Sequence, residues 1–168
     1  ITPQANGCTG TAVSFTITVS NASSVTAANT TATLDPDWPQ ANDKIYAIVR
    51  SGNTVYIGGK FTQVGGEPRS NIAAIDATTG QLTNWNPGAN GEVRTLAVSG
   101  NTVYAGGMFT DMGGLSRNKL AAINATTGSI INTWNPGVSG IGDVRTLVVS
   151  GGIVYAGGSF TNIGGQPR

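Results

Sequence analysis

IYAIVRSGNTVYIGGKFTQVGGEPRSNIAAIDATTGQLTNWNP, residues 45–87, returns as VRTLAVSGNTVYAGGMFTDMGGLSRNKLAAINATTGSIINTWNP at 93–136. It begins a third time as VRTLVVSGGIVYAGGSFTNIGGQPR at 144–168. Val55, Val103 and Val154 hold the same place in the three copies, a spacing of roughly 50 residues, which marks a solenoid, propeller or array. Each copy reads as four strands. In the second copy these are 93–100, 102–110, 119–123 and 129–134, the last broken by Asn135-Pro136. Gly106-Gly107 admits a close backbone approach or a bulge, and Gly113-Gly114 makes a turn. NATTG (124–128) is a tight hairpin in which Asn124 bonds its own backbone and Gly128 takes a positive φ. No segment holds a helical period. Four strands in a unit of this length predict an all-β fold of propeller-type, four-stranded antiparallel blades, two complete and one partial.

Composition narrows the function. Only 10% of residues are charged, against about 25% in ordinary globular domains, so Thr, Ser, Asn and Gly must cover the surface. The formal net charge of +1 gives no field to draw in nucleic acid or an anionic membrane. The chain has no histidine, which removes the commonest general base, metal ligand and pH switch. The single cysteine, Cys8, is a reactive thiol, a small buried residue or half of a bridge to another chain. No apolar stretch approaches the roughly 18 residues of a membrane span. Residue 1 is Ile and no signal peptide is visible in the sequence, as expected of a mature or fragmentary product.

The pattern FTxVGGxxRxxIAAIDATTGxLTxWNP, matched by 61–87 and closely by 108–136, resembles the delta-60 β-propeller repeat of large secreted bacterial proteins. The resemblance covers about 34–168. AAIDATTGQLTNW is also similar to the repeat of quinoprotein propellers, in which a tryptophan docks between blades. It implies that Trp85 and Trp134, with Trp38 one period earlier, are interblade packing residues. Residues 1–23 resemble the final strands of a PKD-like immunoglobulin-type domain. The chain thus divides into an N-terminal strand segment at 1–28 and repeats at 29–87, 88–136 and 137–168, the last partial. The resemblance implies an extracellular or cell-surface setting.

Catalytic candidates are few. The acids, Asp35, Asp37, Asp43, Glu67, Asp76, Glu92, Asp111 and Asp143, lie mostly in turns, whereas a glycosidase needs two carboxylates at a fixed separation. Asp76 becomes Asn124 in the next copy, and both suit a turn-capping role. DPDWPQAND (35–43) has the carboxylate spacing of a calcium loop without its glycine and terminal glutamate. No catalytic, cofactor or metal site is expected. Arg69, Arg117 and Arg168 follow the Gly-Gly turns at equivalent places and either line a ligand face or bond loop carbonyls between blades. Arg94 and Arg145 sit mid-strand, where an aliphatic stem covers apolar surface.

The third copy stops after its second long strand, and an unfinished blade leaves an open edge. TAVSFTITVS (11–20) has the opposite property. Val13, Phe15, Ile17 and Val19 alternate with Ser and Thr, giving a strand with one apolar face and no sheet. Three explanations stand: the chain belongs to a longer protein, the segment folds back within the chain, or it inserts into the open edge of another copy. The last would build a head-to-tail homopolymer. The expected function is a non-catalytic structural or adhesive protein polymerising by strand donation through Val13, Phe15, Ile17 and Val19. The alternative is a glycan- or protein-binding propeller module of a large secreted adhesin.

Overall fold

The structure is a computed structural model that describes residues 26–28, 31–33 and 38–167. The chain forms two compact units, Ile1–Pro36 and Asp37–Arg168. In the first, β1 (Thr26–Ala28) and β2 (Thr31–Thr33) pair antiparallel, Ala27 opposite Ala32. Val13, Phe15, Ile17, Val19, Cys8 and Arg168 lie outside the described residues.

The second unit is all-β and carries the repeat. Its first sheet is β3 (Ile45–Ser51), β4 (Thr54–Gly59) and β7 (Ile72–Asp76), with β4 in the middle. A hairpin of β5 (Gln63–Val64) and β6 (Glu67–Pro68) stands between β4 and β7. The second copy repeats this with β8 (Val93–Ser99), β9 (Thr102–Gly107) and β12 (Leu120–Asn124) around the hairpin of β10 (Asp111–Met112) and β11 (Leu115–Ser116). The third has β13 (Val138–Ser139), β14 (Val144–Ser150), β15 (Ile153–Gly158), β16 (Asn162–Ile163) and β17 (Gln166–Pro167). There β14 and β15 form a sheet of two, and β16 takes β13 and β17 as neighbours.

The short hairpins escape sequence reading because each strand is two residues long and is fixed from outside. Ala41 bridges to Val64, Ala89 to Met112, and β13 to β16. Asn42 Oδ1 accepts the backbone N–H groups of Thr62 and Gln63 at 2.9 and 3.0 Å. Asn90 does the same for Thr110 and Asp111. The NATTG turn forms as expected: Asp76 Oδ1 accepts from Thr78 and Thr79, and Asn124 Oδ1 from Thr126 and Thr127.

Two expectations are corrected. The fourth strand shrinks to one bridge, Ile75 with Leu82 and Ile123 with Ile130. The reason is the tryptophan, which leaves its own sheet for the next copy: Trp85 Nε1 donates to the Asn124 carbonyl at 2.9 Å. The bulge sits opposite the glycines rather than on them. Val93 pairs with Gly107 and Thr95 with Gly106, so Arg94 is the extra residue. Tyr46 and Arg145 occupy the same position in their strands. The glycines supply the close approach. A Cβ on Gly107 would overlap the Glu92 carbonyl oxygen, and one on Gly106 would lie 2.6 Å from Val144 Cγ1.

Burial explains the continuous apolar run IAAI. Ala73 and Ile75 pack with Trp38, Val55 and Ile57, whereas Ile72 and Ala74 enter another core with Tyr56, Trp85, Val93 and Val103. A strand covered on both faces needs no polar alternation. Three cores result, one before the first sheet and one between each successive pair. The third holds Leu120, Val138, Val144 and Leu147. Trp85 stands edge-on to Tyr56 at 5.0 Å, and Trp134 to Tyr104 at 5.1 Å. Such aromatic pairs add to the burial energy by about 0.5–1.5 kcal/mol.

Candidate functional site: the incomplete third sheet

In the first two copies the central strand has a neighbour on each side: β4 lies between β3 and β7, and β9 between β8 and β12. Among the described residues, β15 is paired on one side alone, with β14. Its other edge borders a cavity of about 300 Å3 lined by Leu120, Trp134, Pro136, Val154, Ala156 and Ile163. Val103 and Ala105 are fully buried, but their counterparts Val154 and Ala156 are only partly covered. Trp134 is likewise half-buried where Trp85 is buried. Among the described residues, no strand takes the position held by β7 and β12, which lies beside an apolar wall.

The face of the sheet of β14 and β15 is also not covered by any of the described residues. Tyr56 is 3% exposed and gives its hydroxyl hydrogen to the Ala125 carbonyl of the next copy at 3.0 Å. Burial raises its pKa above the ordinary tyrosine value, against a hydrogen bond with Thr54. The equivalent Tyr155 is 55% exposed.

The bulged residues converge. Tyr46, Arg94 and Arg145 line one cavity of about 310 Å3. Arg94 donates to Glu92 at 2.8 Å from Nη2 and to Asp143 from Nη1. Arg145 Nε donates to both oxygens of Asp143. Asp143 is buried, and burial alone raises its pKa. The hydrogen bond from Arg145 and the charges of both arginines outweigh that and leave it below the usual aspartate value. Hydrogen bonding to Glu92 leads the causes that raise Arg94. Arg94 thus holds an ion pair across the copies through Asp143, which Arg145 also binds from within its own copy. Acid-Val-Arg recurs in GEVRTL and GDVRTL, and that pattern was the available signal.

Arg69 and Arg117 bond to nearby loop groups. Arg69 donates to the Pro68 and Thr83 carbonyls, both at 2.7 Å. Arg117 is buried and donates to the Ser116 carbonyl and to Asn132 Oδ1. Each bonds within its own copy, not between copies. Among the described residues, no three His, Cys, Asp or Glu side chains group as a metal site. No helix there is long and apolar enough to cross a membrane.

No protein-family model matches the chain. No curated protein matches it. Among solved structures it is similar to the computationally designed Ika4 protein, at 19% identity and a TM-score of 0.39 over 71% of this chain and 88% of that one. It is also similar to the computationally designed Ika8 protein, at 19% identity and a TM-score of 0.35 over 67% of this chain and 42% of that one.

Proposed function

We propose that the chain is a non-catalytic structural or adhesive protein of the cell exterior, built from propeller-type repeats of the delta-60 class. Its third sheet is completed by a β-strand from another copy, joining copies head to tail. The observation that carries this reading is the free edge of β15 beside the cavity walled by Leu120 and Trp134. Backbone hydrogen bonds along an edge supply affinity, and alternate side chains filling a pocket supply specificity. Val13, Phe15, Ile17 and Val19 offer one apolar face for that pocket. Removing residues 1–20 tests it by sedimentation velocity and electron microscopy. Assembly is lost in the shortened chain if the segment is the donor, and unchanged assembly refutes the reading.

A second reading, glycan binding by a propeller module, has its own observation. A cleft of about 510 Å3 between the first two copies is lined by Tyr56, Trp85, Asn84, Asn101, Thr126 and Thr127, with no charged residue on its wall. Uncharged hydroxyl and amide groups beside aromatic rings suit a neutral saccharide. Glycan-array retention by the monomeric chain, lost on Asn101→Ala, supports it; no retention refutes it.

A further inference from the structure

The junction between the second and third copies is made by three specific contacts. Val144 seats its Cγ1 against Gly106, where a Cβ would come within 2.6 Å. Asp143 takes the guanidinium of Arg94. Leu147 gives its backbone N–H to Thr95 Oγ1 at 3.1 Å. The receiving residues are therefore Gly106, Arg94 and Thr95, supported by the apolar pair Ala97 and Tyr104.

The third copy presents the same set in the same register: Gly157, Arg145 and Thr146, with Val148 and Tyr155. Here nothing among the described residues receives them. A Cβ on Gly157 would meet only Thr146, with no valine above it. The Arg145 side chain is 63% exposed against 29% for Arg94. Val148 and Tyr155 are each more than half exposed. An uncovered apolar pair inside a ring of matched polar groups marks an interaction surface.

We infer that this face is the seat of a fourth repeat unit of the same class, whose leading strand opens with an acid-valine pair. Its acid would lie on Arg145, its valine over Gly157, and a backbone N–H two residues beyond its arginine would reach Thr146. The charge requirement chooses the partner. The first unit of a second copy opens with Lys44-Ile45 where the third opens with Asp143-Val144, and would set an ammonium against Arg145. Like-charge juxtaposition excludes wrong partners in this way. The seat is distinct from strand donation, because the strand runs along the edge of β15 and the unit lies over the sheet face.

Arg117 and Arg168 are equivalent, so a second copy of residues 118–168 fused behind Arg168 continues the repeat in phase. The added segment carries Arg145→Lys, leaving the original Arg145 as the sole reporter at that position. Phenylglyoxal labelling read by mass spectrometry follows Arg145, and hydrogen exchange at the β15 amides follows strand pairing. Labelling of Arg145 falls several-fold on extension. It returns to the rate of the unextended chain when the added Asp143 is changed to Lys, while the β15 amides stay protected. Equal labelling with Asp and Lys overturns the inference. So does an Asp extension that protects the β15 amides while Arg145 still labels at the rate of the unextended chain, since a paired repeat then leaves the seat empty. Failure of strand donation between copies would leave these results unchanged.

Discussion

Changing Asp143 to asparagine keeps its size and removes its charge. The carboxylate is 1% exposed and joins guanidiniums from two successive copies. Deleting one partner of a buried, hydrogen-bonded ion pair costs about 3–5 kcal/mol. Both arginines still reach water, which screens the loss, so a figure of about 2 kcal/mol is expected. For a chain of this size that lowers the thermal midpoint by about 4–8 °C. Circular dichroism at pH 7 measures it. The pH dependence separates charge from shape. The folded pKa of Asp143 lies below its ordinary value, so its contribution is fully present above the unfolded pKa of about 3.9. It disappears as pH falls through the lower, folded value. The gap between the parent and Asp143→Asn is therefore constant from about pH 5 to pH 8 and closes in more acidic solution. An equal gap in that acidic range, or no gap at neutral pH, would refute an electrostatic role for this residue.

Trp85→Ala is expected to cost about 3–5 kcal/mol, as for a fully buried large aromatic, and Trp134→Ala distinctly less, since the third core covers only part of its ring; urea unfolding of the two variants ranks them. Gly106→Ala places a methyl 2.6 Å from Val144 Cγ1 and 2.8 Å from Thr95 Cγ2, and overpacking of this kind costs about 1–3 kcal/mol. The same change at Gly151, with open space around it and φ of +57°, brings backbone strain without a clash, so the larger drop in thermal midpoint belongs to Gly106. Asp76→Asn shifts the thermal midpoint by no more than about 2 °C, because Asn124 caps the same turn with the same backbone bonds; a large loss would show that the charge at Asp76 matters.

What could be read from sequence is what local chemistry decides. TVYAGG and IAAI announce strands, and the NATTG turn is set by one side chain and one glycine. The fourth strand is cut short after its one bridge because the tryptophan beyond it packs into the core between copies, Trp85 in one and Trp134 in the next. Of the two readings of Gly106-Gly107, the close backbone approach holds and the bulge does not. The residue forced out of register is on the facing strand, where the next copy's valine closes over Gly106. Arg94 and Arg145 read as stems over apolar surface; the carboxylate that Arg94 reaches, Asp143, lies 49 residues away and is brought beside it only by the fold. The matched set Arg145, Thr146 and Gly157 is recognisable only from the contacts that Arg94, Thr95 and Gly106 make with the third copy, which the fold alone brings together.

The tryptophan bridge gives the molecule a direction. Trp85 is covalently part of the first copy, but its indole hydrogen bond ends on the second. The first copy therefore lends a side chain forward, and the second depends on the one before it. In a linear array with nearest-neighbour coupling, such one-way loans make stability uneven along the chain. Under a pulling force or in rising denaturant, the third copy should open first and the loss should travel backward toward the first. Growth would run the other way, each finished unit serving as the template on which the next one sets.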